Sequence, residues 1–467
     1  MSIELNIPIH PTLDPAFVPA ALWNKAFRER VRTEASSRDI ALALTRPDES
    51  SFIFNTRVLS DSPDNDVFSL RYLERFLKFL LWQRGASDIW ISGCDALASR
   101  LGMIYSATGT RKFDAAFLGE RIYGKPLEIH ACASRDIPPA QENNTSLGRH
   151  LDGCRIGFDL GGSDRKCAAL IDGKVIFSEE TEWNPYFESD PEYHIQGIQA
   201  SLERAASHLP RVDAIGGSAA GIYVDSDVRA ASLFRGVSTE DFNASIRHVF
   251  RDLQKRWKNV PFDVANDGEV TALAGSMSLG KNAVLGVSLG TSQAAGYVTP
   301  EGRITTWLNE LAFAPVDYRA DAPVDEWSGD AGCGVQYFSQ QAVARLAPAA
   351  GIALPDDMPL PEKLESVQAL MQKGDESAAR IYDTIGTCLG YSLAHYAEFC
   401  KIENVLLLGR VTSGDGGTLI IDHAEKVLAT VFPELGETVS ISMPDEALKR
   451  HGQAVAAASL PEIKETA

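Results

Sequence analysis

The stretch RIGFDLGGS, residues 155–163, decides the fold class of this 467-residue chain. It reads as an apolar strand up to Leu160, and it carries a carboxylate and two glycines at Asp159, Gly161 and Gly162. Glycines let backbone amides approach an anion closely, and a carboxylate at a strand end can hold a hydrated Mg²⁺. A plain glycine hairpin with an incidental Asp has the same sequence, so these residues alone leave both interpretations open.

Two further glycine turns follow along the chain. LGTS at residues 289–292 separates the apolar segments 284–288 and 294–298, and Thr291 adds a hydroxyl to this run of small residues. Small residues allow a backbone to close over a phosphate, although a tight hairpin in a core sheet looks the same. A third glycine cluster, LGRVTSG at 408–414, comes after another apolar strand. The joint occurrence of these turns favours phosphate binding.

Asn266 and Asp267 come directly after a predicted strand at 262–265 and directly before a helical segment. Ligands sit at strand ends in α/β folds, so Asp267 can face a cleft and accept a proton from a hydroxyl. The alternative is an N-cap or an Asn-Asp turn before the helix, and composition alone favours that alternative.

Strands alternate with helices from residue 155 onward, which indicates an α/β architecture. Helices are predicted at 193–208 and 238–258, and Asp172-Gly173 is a strong hairpin signal. The first 150 residues differ. Residues 68–83 have apolar side chains at helical spacing, which predicts a buried amphipathic helix.

Short strands are also predicted at 88–92 and 126–133. Residues 137–153 have the Pro, Asn and Gly content of a linker, and we place a domain boundary there. In the predicted helix, Arg71, Arg75 and Lys78 lie at spacings of four and three, and a solvated helix face explains all three cations without a ligand.

Composition excludes several classes of protein. With 44 Lys and Arg against 63 Asp and Glu, the formal charge is -19, which argues against a general basic surface for nucleic acid. The seven cysteines are scattered, which argues against a disulfide framework or a zinc ribbon. No signal-peptide pattern and no apolar stretch of about 18 residues occurs. We expect a soluble, cytoplasmic protein of two or three domains, with no nucleic-acid or membrane partner.

The order of the motifs resembles the actin-like ATPase superfamily and, within it, the ROK family of sugar kinases and regulators (repressor, open reading frame, kinase). Residues 159–163 resemble the family's first phosphate motif, Asp-x-Gly-Gly-Thr, with Ser163 in place of Thr. Asn266-Asp267 resembles the family's Asn-Asp pair, whose Asp is the catalytic base and whose Asn binds sugar. Residues 289–291 resemble the second phosphate motif, and Leu408-Gly409 resembles the start of the adenosine motif.

The resemblance covers residues 155–460, about two thirds of the chain. It implies an α/β, two-lobed actin-like ATPase (ribonuclease H-like) fold with a cleft between the lobes, plus an extra N-terminal α+β segment. The predicted domains are an N-terminal extension at 1–150, a first lobe at 151–265 and a second lobe at 266–445. A small-residue C-terminal helix at 446–460 would return to the first lobe.

The sequence departs from the family pattern on the acceptor side. Glu310 of the family's Glu-x-Gly-His motif is kept, but its His is Phe313, and a second sugar-binding Glu falls on Val335. Phe313, Trp307 or Trp327 could stack on an apolar sugar face, or simply fill the core. With two hydroxyl-binding groups missing, a deoxy, modified or cyclitol substrate fits better than an ordinary hexose.

Of the family's zinc-knuckle segment, Cys333 remains, but the Cys-x-Cys before it is absent. Four zinc ligands cannot be assembled from Cys333 alone, so we expect no structural zinc.

The resemblance implies transfer of the γ-phosphoryl of ATP, with Mg²⁺, to a sugar hydroxyl, with Asp267 as base. The acceptor-binding candidates are Gly221, Asn266, Asp267 and Glu310. The ATP-binding candidates are Asp159 (also the candidate Mg²⁺ ligand), Gly161, Gly162, Ser163, Lys166, Gly290, Thr291, Ser292 and Gly409. For Lys166 a solvated strand position is the favoured alternative. The resemblance also implies a homodimer.

The main alternative is a non-catalytic sugar-binding sensor or transcriptional regulator, since the family includes repressors. The role of residues 1–150 stays open between covering the sugar cleft, extending the first lobe's sheet and forming a dimer contact.

Overall fold

A computed structural model describes residues 3–141, 147–444 and 446–463. Three main sheets organise these residues, one before residue 141 and two after residue 150. The latter two are the lobes of the predicted α/β fold. In the described part of the chain, no helix is both long enough and apolar enough to cross a membrane.

The N-terminal sheet has the strand order β2-β1-β3-β4, and β3 runs parallel to β4 while the other neighbours are antiparallel. Its strands are β1 (Arg38–Thr45), β2 (Ser51–Val58), β3 (Asp88–Ser92) and β4 (Glu128–Cys132). The helices around it are α1 (Ala20–Thr33), α2 (Pro63–Arg84), α3 (Asp95–Ile104), α4 (Lys112–Ala115) and a π-helix (Ala116–Tyr123). The predictions of a helix at 68–83 and strands at 88–92 and 126–133 are therefore confirmed.

Local sequence sets both ends of α2. The Ser62 hydroxyl accepts a hydrogen bond from the Asn65 amide (3.3 Å), and Pro63 occupies the first turn. Gly85 ends the helix at φ 79°, a conformation that favours glycine. From Tyr72 to Arg84 every residue of α2 is buried, so this helix lies inside the protein.

The first-lobe sheet has the order β11-β8-β5-β6-β7, with β5, β8 and β11 parallel. Its strands are β5 (Cys154–Leu160), β6 (Asp164–Ile171), β7 (Lys174–Glu182), β8 (Ala214–Ala219) and β11 (Phe262–Asn266), and a separate hairpin holds β9 (Ile222–Val224) and β10 (Asp227–Ala230). The helices are α5 (Pro191–Ala206), α6 (Thr239–Asp241) and α7 (Val249–Arg256). Asp172 and Gly173 have φ 46° and 75°, which confirms the predicted hairpin turn.

The prediction of one continuous helix at 238–258 is wrong, because the range is divided into several helical segments. A π-helical stretch, Phe242–Ile246, separates α6 from α7. The Arg247 carbonyl accepts from the Val228 amide of β10 (2.9 Å). This bond takes a carbonyl out of the helical pattern at the point where the helix is interrupted.

The second-lobe sheet has the order β13-β12-β14-β15, with β12, β14 and β15 parallel. Its strands are β12 (Val284–Leu289), β13 (Gln293–Val298), β14 (Asn404–Leu408) and β15 (Ser440–Ser442). The helices are α8 (Asp267–Leu279), α9 (Gln340–Ala349), α10 (Leu360–Met371), α11 (Glu376–Tyr396), α12 (Asp415–Val431) and α13 (Pro433–Thr438), and the last helix of the chain is α14 (Glu446–Ala458).

Helix α14 packs on the first-lobe sheet and on α8. A Cβ atom at Gly157 would lie 1.8 Å from the Ala454 carbonyl oxygen, and one at Gly216 would lie 1.7 Å from that of Ala457. Only glycine permits this approach of strands and helix. The small residues of this segment therefore serve close packing against the first lobe.

The N-terminal residues share a hydrophobic core with the second lobe. Phe79 of α2 stacks near Tyr396 and Phe399, with ring centroids 5.8 and 4.4 Å away. The N-terminal sheet is separate from the first-lobe sheet. The π-helix Ala116–Tyr123 reaches across and packs against the β9–β10 hairpin of the first lobe.

Candidate active site

The carboxyl ends of three parallel strands bring the predicted site residues to one sheet edge. Leu160 of β5 is paired with Ala219 of β8, and Ala219 is paired with Asn266 of β11. The first glycine turn, Gly221 and Asp267 each follow one of these strand ends. Ligands bind at such edges in α/β folds, because loops can converge there.

Asn266 joins two of these segments. Its Oδ1 accepts from the Gly268 amide (2.7 Å) and caps α8, and its Nδ2 donates to the Gly221 carbonyl (2.7 Å). Gly221 has φ 139°, and a Cβ there would lie 2.5 Å from the Ala230 carbonyl oxygen. The N-cap alternative for Asn266 is thus realised, and the same side chain fixes the Gly221 loop beside Asp267.

Three acids influence one another at this edge. Burial, with a contribution from the Asp267 carboxylate, raises the pKa of Asp159 to about 6. Burial and the same neighbour raise the pKa of Glu310 to about 7, and burial raises the pKa of Asp267 itself. The tertiary structure therefore brings Asp159, Asp267 and Glu310, which lie far apart in sequence, into one electrostatic group.

The first glycine turn is a hairpin between β5 and β6. The Gly161 amide donates to the Asp164 carbonyl (2.9 Å), and the Trp183 indole donates to the Gly161 carbonyl (2.8 Å). A Cβ at Gly162 would lie 2.2 Å from the Tyr186 hydroxyl. Ser163 is exposed at the tip. The turn is thus backed by Trp183 and Tyr186, and a side chain at Gly162 would have to displace the Tyr186 ring.

Lys166 lies opposite Asp159 in the pairing of β5 with β6. Its Nζ is 3.2 Å from Asp164 Oδ1, and a quarter of its side chain is exposed (25%). It forms an ion pair with Asp164, which agrees with a partly solvated strand position at the rim of the site.

The second glycine turn adjoins the third. The Gly290 amide donates to the Ser292 carbonyl (3.0 Å) between β12 and β13, and Thr291 and Ser292 are exposed at the tip. Gly409 has φ 94°, and a Cβ there would lie 2.4 Å from the Leu289 carbonyl oxygen. The predicted second phosphate turn and the start of the predicted adenosine segment are thus packed together.

A pocket of about 310 Å³ lies between the start of α8 and strands β12 and β13. Asp267 and Thr271 line one wall, and Ser288 and Leu408 line another. This pocket places Asp267 of the acceptor edge beside the strand that leads into the second glycine turn.

No protein-family model and no curated protein matches the chain. Among solved structures, the ROK hexokinase from Thermus thermophilus superimposes with a TM-score of 0.52 at 19% identity, covering 65% of this chain and 96% of that one. The chain has the ROK fold. This confirms the two-lobed α/β prediction and, at the level of the fold, the resemblance stated above.

A second ROK-fold protein, a ROK family transcriptional regulator described as a homologue of the E. coli MLC protein, matches with the same TM-score of 0.52 at 17% identity. The match covers 66% of this chain and 79% of the regulator. A kinase and a regulator share the fold, so the function has to be argued from the site.

Glu269 belongs to the site but was not assigned from the sequence. It is buried in the first turn of α8, its Oε2 accepts from the Tyr297 amide (3.1 Å), and its Oε1 accepts from the Asn309 side chain. Burial raises the pKa of Glu269 to about 8. The available signal was a Glu two residues after Asp267, ahead of an apolar helical run.

Phe313 packs on an aromatic ring from the N-terminal extension of this ROK fold. Its ring lies 4.2 Å from that of Trp82, centroid to centroid, at 28°. Trp307 stacks on Tyr297 (5.6 Å) and lies under the Arg84 guanidinium (3.3 Å), whereas Trp327 is 71% exposed. Of the aromatics suggested for sugar stacking, Phe313 and Trp307 have protein ring partners.

The solvated-face interpretation of the α2 cations is wrong for two of the three. Arg71 is exposed, but Arg75 is buried and Lys78 is fully buried. They belong to a buried set of charges, here called the ion cluster, which consists of Glu74, Arg75, Lys78, Arg111, Asp114 and Asp330. Helix α2, the residues at α4 and the segment that carries Asp330 meet at this cluster, so what would otherwise be an exposed helix surface is buried.

Cys333 is buried beside the ion cluster, with its Sγ 3.7 Å from the Asp330 carbonyl oxygen. Among the residues that the structure describes, the group of acids and His close enough to share a metal is Asp88, Glu128 and His130 on the N-terminal sheet. There the Lys125 ammonium already lies 2.7 Å from Asp88. That group is outside the candidate site.

Proposed function

We propose that this protein is an ATP-dependent kinase that transfers the γ-phosphoryl group of ATP to a hydroxyl of a sugar or sugar-like acceptor. The observation that carries the proposal is the half-buried Asp267 carboxylate at the strand-end edge, which lines the pocket beside β12 and contributes to the raised pKa of Asp159 and Glu310. The candidate base Asp267, the candidate metal ligand Asp159 and the candidate hydroxyl ligand Glu310 thus lie near one another in a ROK fold.

The residues at the edge fit Mg²⁺ and a polyphosphate. Asp159 offers carboxylate oxygens, the donors that Mg²⁺ prefers, and its Oδ1 accepts a hydrogen bond from the Ser218 hydroxyl (2.6 Å). The Gly161 and Gly290 amides donate within their own turns, so these glycines shape the turns, whose exposed tips at Ser163 and Thr291 face solvent, and Gly409 backs the second turn. Mg²⁺ at Asp159 would neutralise charge on the phosphates.

In this mechanism Asp267 accepts the proton of the attacking hydroxyl. A raised pKa makes its carboxylate a stronger base than a solvated Asp. Asn266 and Glu310 orient the other hydroxyls of the acceptor, and Asn266 holds the Gly221 loop at the same time. The exposed tips at Ser163, Thr291 and Ser292, with Lys166 at the rim, are the positions for phosphate oxygens.

The acceptor class follows from what the site lacks. Phe313 stands where a His would bind a hydroxyl, and its ring is engaged by Trp82. Val335 adds no polar group. We infer that the acceptor is a deoxy sugar, a modified sugar or a cyclitol. The cytoplasmic location and the homodimer stay predictions.

The second candidate function is a sugar-binding regulator without catalysis. The observation that favours it is the equal TM-score of the ROK family transcriptional regulator. A regulator would bind the same sugar class at Asn266 and Glu310 but would transfer no phosphate.

The test measures transfer of label from γ-labelled ATP to D-glucose, 2-deoxy-D-glucose and myo-inositol. Asp267→Asn should lower kcat by about 100- to 10,000-fold, because it removes the base. The matched control is Asp263→Asn, a partly buried carboxylate on the strand that leads into Asp267, three residues before the end of that strand, which should change kcat by less than about threefold. Full turnover in Asp267→Asn, or no transfer by the wild type to a wider sugar and cyclitol panel, would overturn the proposed function.

A further inference from the structure

The carboxyl end of α2 contacts the segment that carries Glu310. The Glu310 amide donates to the Trp82 carbonyl (2.9 Å), and the Asn309 amide donates to the Gln83 carbonyl (3.0 Å). The last carbonyls of a helix have no partner inside the helix, so these two bonds satisfy groups that would otherwise be unpaired. A buried N-terminal helix therefore fixes the backbone at a candidate acceptor residue.

Side chains of α2 hold that helix end in place. The Trp82 ring stacks on Phe313, three residues after Glu310, and its indole N–H donates to Asp114 (2.6 Å). One turn earlier, Lys78 pairs with Asp330 (2.8 Å). The indole thus connects the ion cluster to the Glu310 segment.

The same segment is tied on its other side to the helix that bears Asp267. Asn309 has φ 47°, and its side chain donates to Glu269 in the first turn of α8. The Asn309–Glu310 backbone is therefore clamped between α2 and α8. Its position relative to Asp267 depends on both helices.

The N-terminal residues also reach the opposite side of the acceptor edge. The π-helix Ala116–Tyr123 packs against the β9–β10 hairpin, which begins directly after Gly221. Gly221 in turn accepts the Asn266 hydrogen bond. One N-terminal unit thus contacts the segments behind two acceptor candidates, Gly221 and Glu310.

We infer that Trp82 is a positioning residue for the acceptor: through the carboxyl end of α2 it holds the Asn309–Glu310 backbone so that Glu310 meets the acceptor hydroxyls. The inference rests on the proposed function in assigning an acceptor to Glu310. It makes the carboxyl end of α2, within the N-terminal extension, part of the support of the acceptor site.

The first measurement needs no substrate. Amide hydrogen exchange is followed in peptides that cover residues 305–313, in wild type, Trp82→Leu and Trp82→Phe. Trp82→Leu removes the stacked ring and the indole donor, so exchange at Asn309 and Glu310 should speed up about tenfold. Trp82→Phe keeps a ring against Phe313, and its exchange should stay within about threefold of wild type.

The second measurement is the steady-state kinetics of the same variants with 2-deoxy-D-glucose and myo-inositol. Trp82→Leu should raise KM for the acceptor about tenfold or more and leave KM for ATP and kcat at saturation within about twofold. Trp82→Phe should recover most of the acceptor KM.

The matched control is Leu42→Ala, a fully buried residue of β1 in the same hydrophobic core. It should lower the melting temperature but leave exchange at 305–313 and the acceptor KM unchanged. Unchanged exchange in Trp82→Leu, or an equal rise of KM in Leu42→Ala, overturns the inference. If the wild type transfers no phosphate, the proposed function fails, and the exchange measurement still decides the positioning role of Trp82.

Discussion

Two groups of acids in this protein, each at least partly buried, differ in what surrounds them. In the ion cluster, Asp330 lies 3.0 Å from the Arg75 guanidinium and 2.8 Å from the Lys78 ammonium. At the candidate site, Asp159, Asp267, Glu269 and Glu310 form no ion pair with Lys or Arg anywhere in the described ranges. Asp159 and Glu269 are buried and Asp267 and Glu310 are half-buried, so both groups are at least partly removed from water, but only the first group is held in ion pairs.

The pKa values of Asp330 and of the site acids differ in direction. Burial acts to raise the pKa of Asp330, but Arg75 and Lys78 outweigh it and hold that pKa below its usual value. Burial raises the pKa of Asp159 to about 6, that of Glu310 to about 7 and that of Glu269 to about 8. Within the ion cluster the cations compensate Asp330, whereas burial still raises the pKa of Asp114. The site acids form no ion pairs of their own in the described part of the chain, and Lys166 only partly offsets the burial of Asp159, which is the arrangement expected where substrate and metal supply further positive charge.

The largest expected effect comes from breaking the compensation in the ion cluster. Lys78→Met leaves Asp114 and Asp330 with fewer cations in a buried setting, and it should lower the free energy of unfolding by about 3 to 5 kcal/mol. Urea unfolding followed by circular dichroism measures this change.

The control for that variant is Lys125→Met, which removes a partly exposed pair with Asp88 and should cost less than about 1 kcal/mol. Similar losses of unfolding free energy in both variants would mean that burial of the ion cluster does not affect stability. That result would contradict the difference drawn between the two acid groups.

A smaller effect is expected from removing one uncompensated acid. Asp159→Asn should lower kcat/KM for ATP with Mg²⁺ by about 100-fold, which is about 2.7 kcal/mol, because a charged ligand is lost. Since the Asp159 pKa is about 6, wild-type affinity for Mg²⁺ should rise as pH increases through 6, and the variant should lose that rise. Kinetics over a Mg²⁺ series at pH 5.5 and 7.5 test both statements.

Asp164→Asn is the matched control, because Asp164 is a carboxylate of the same turn that already pairs with Lys166. It should stay within about threefold of wild type. An equal loss in Asp159→Asn and Asp164→Asn would contradict the assignment of Asp159.

The smallest effect, taken per group and per pH unit, is on the stability of the protein. Glu269 and Glu310 have pKa values in the folded protein above those in the unfolded chain, so the folded state keeps protons that the unfolded state has released between about pH 5 and 8. The free energy of unfolding should therefore fall as pH rises through this window, by at most about 1.4 kcal/mol per pH unit for each group.

Glu269→Gln should flatten that fall, most clearly between pH 7 and 8. The contribution of Asp330 has the opposite sign, because its lowered pKa adds stability that disappears only as the pH falls through its folded value. Urea unfolding at half-unit pH steps distinguishes the two. A Glu269→Gln curve parallel to wild type would show that this acid is charged throughout.

Much of the secondary structure after residue 150 could be predicted from the local sequence. Apolar strands, the Asp172-Gly173 turn and the glycine turns are set by neighbouring residues, so RIGFDLGGS and the segments after it indicated the α/β lobes before any contact was known. The helix expected at 238–258 failed where a long-range bond from Val228 to Arg247 interrupts the helical pattern. Local propensity carries no information on such a bond.

The candidate site could be predicted only in part. Asn266 and Asp267 stood out by their place after a strand, but Glu269 acquires its role from Asn309, forty residues away, and Glu310 is held by a helix that ends at Arg84. Arg75 and Lys78 have the spacing of a solvated helix face, and no residue near them in the sequence indicates that they form ion pairs with Asp330. Helical spacing shows which residues share a face, whereas burial depends on what packs against that face.

The sequence by itself determined the strands, the turns and the residue types available for chemistry, because these depend on backbone preferences within a few residues. The tertiary structure decided which carboxylates stand without cations and which are paired, because a charge is compensated only by groups that folding brings within a few ångströms. It also decided that the N-terminal extension, which the kinase motifs do not require, lies against the backbone of Glu310.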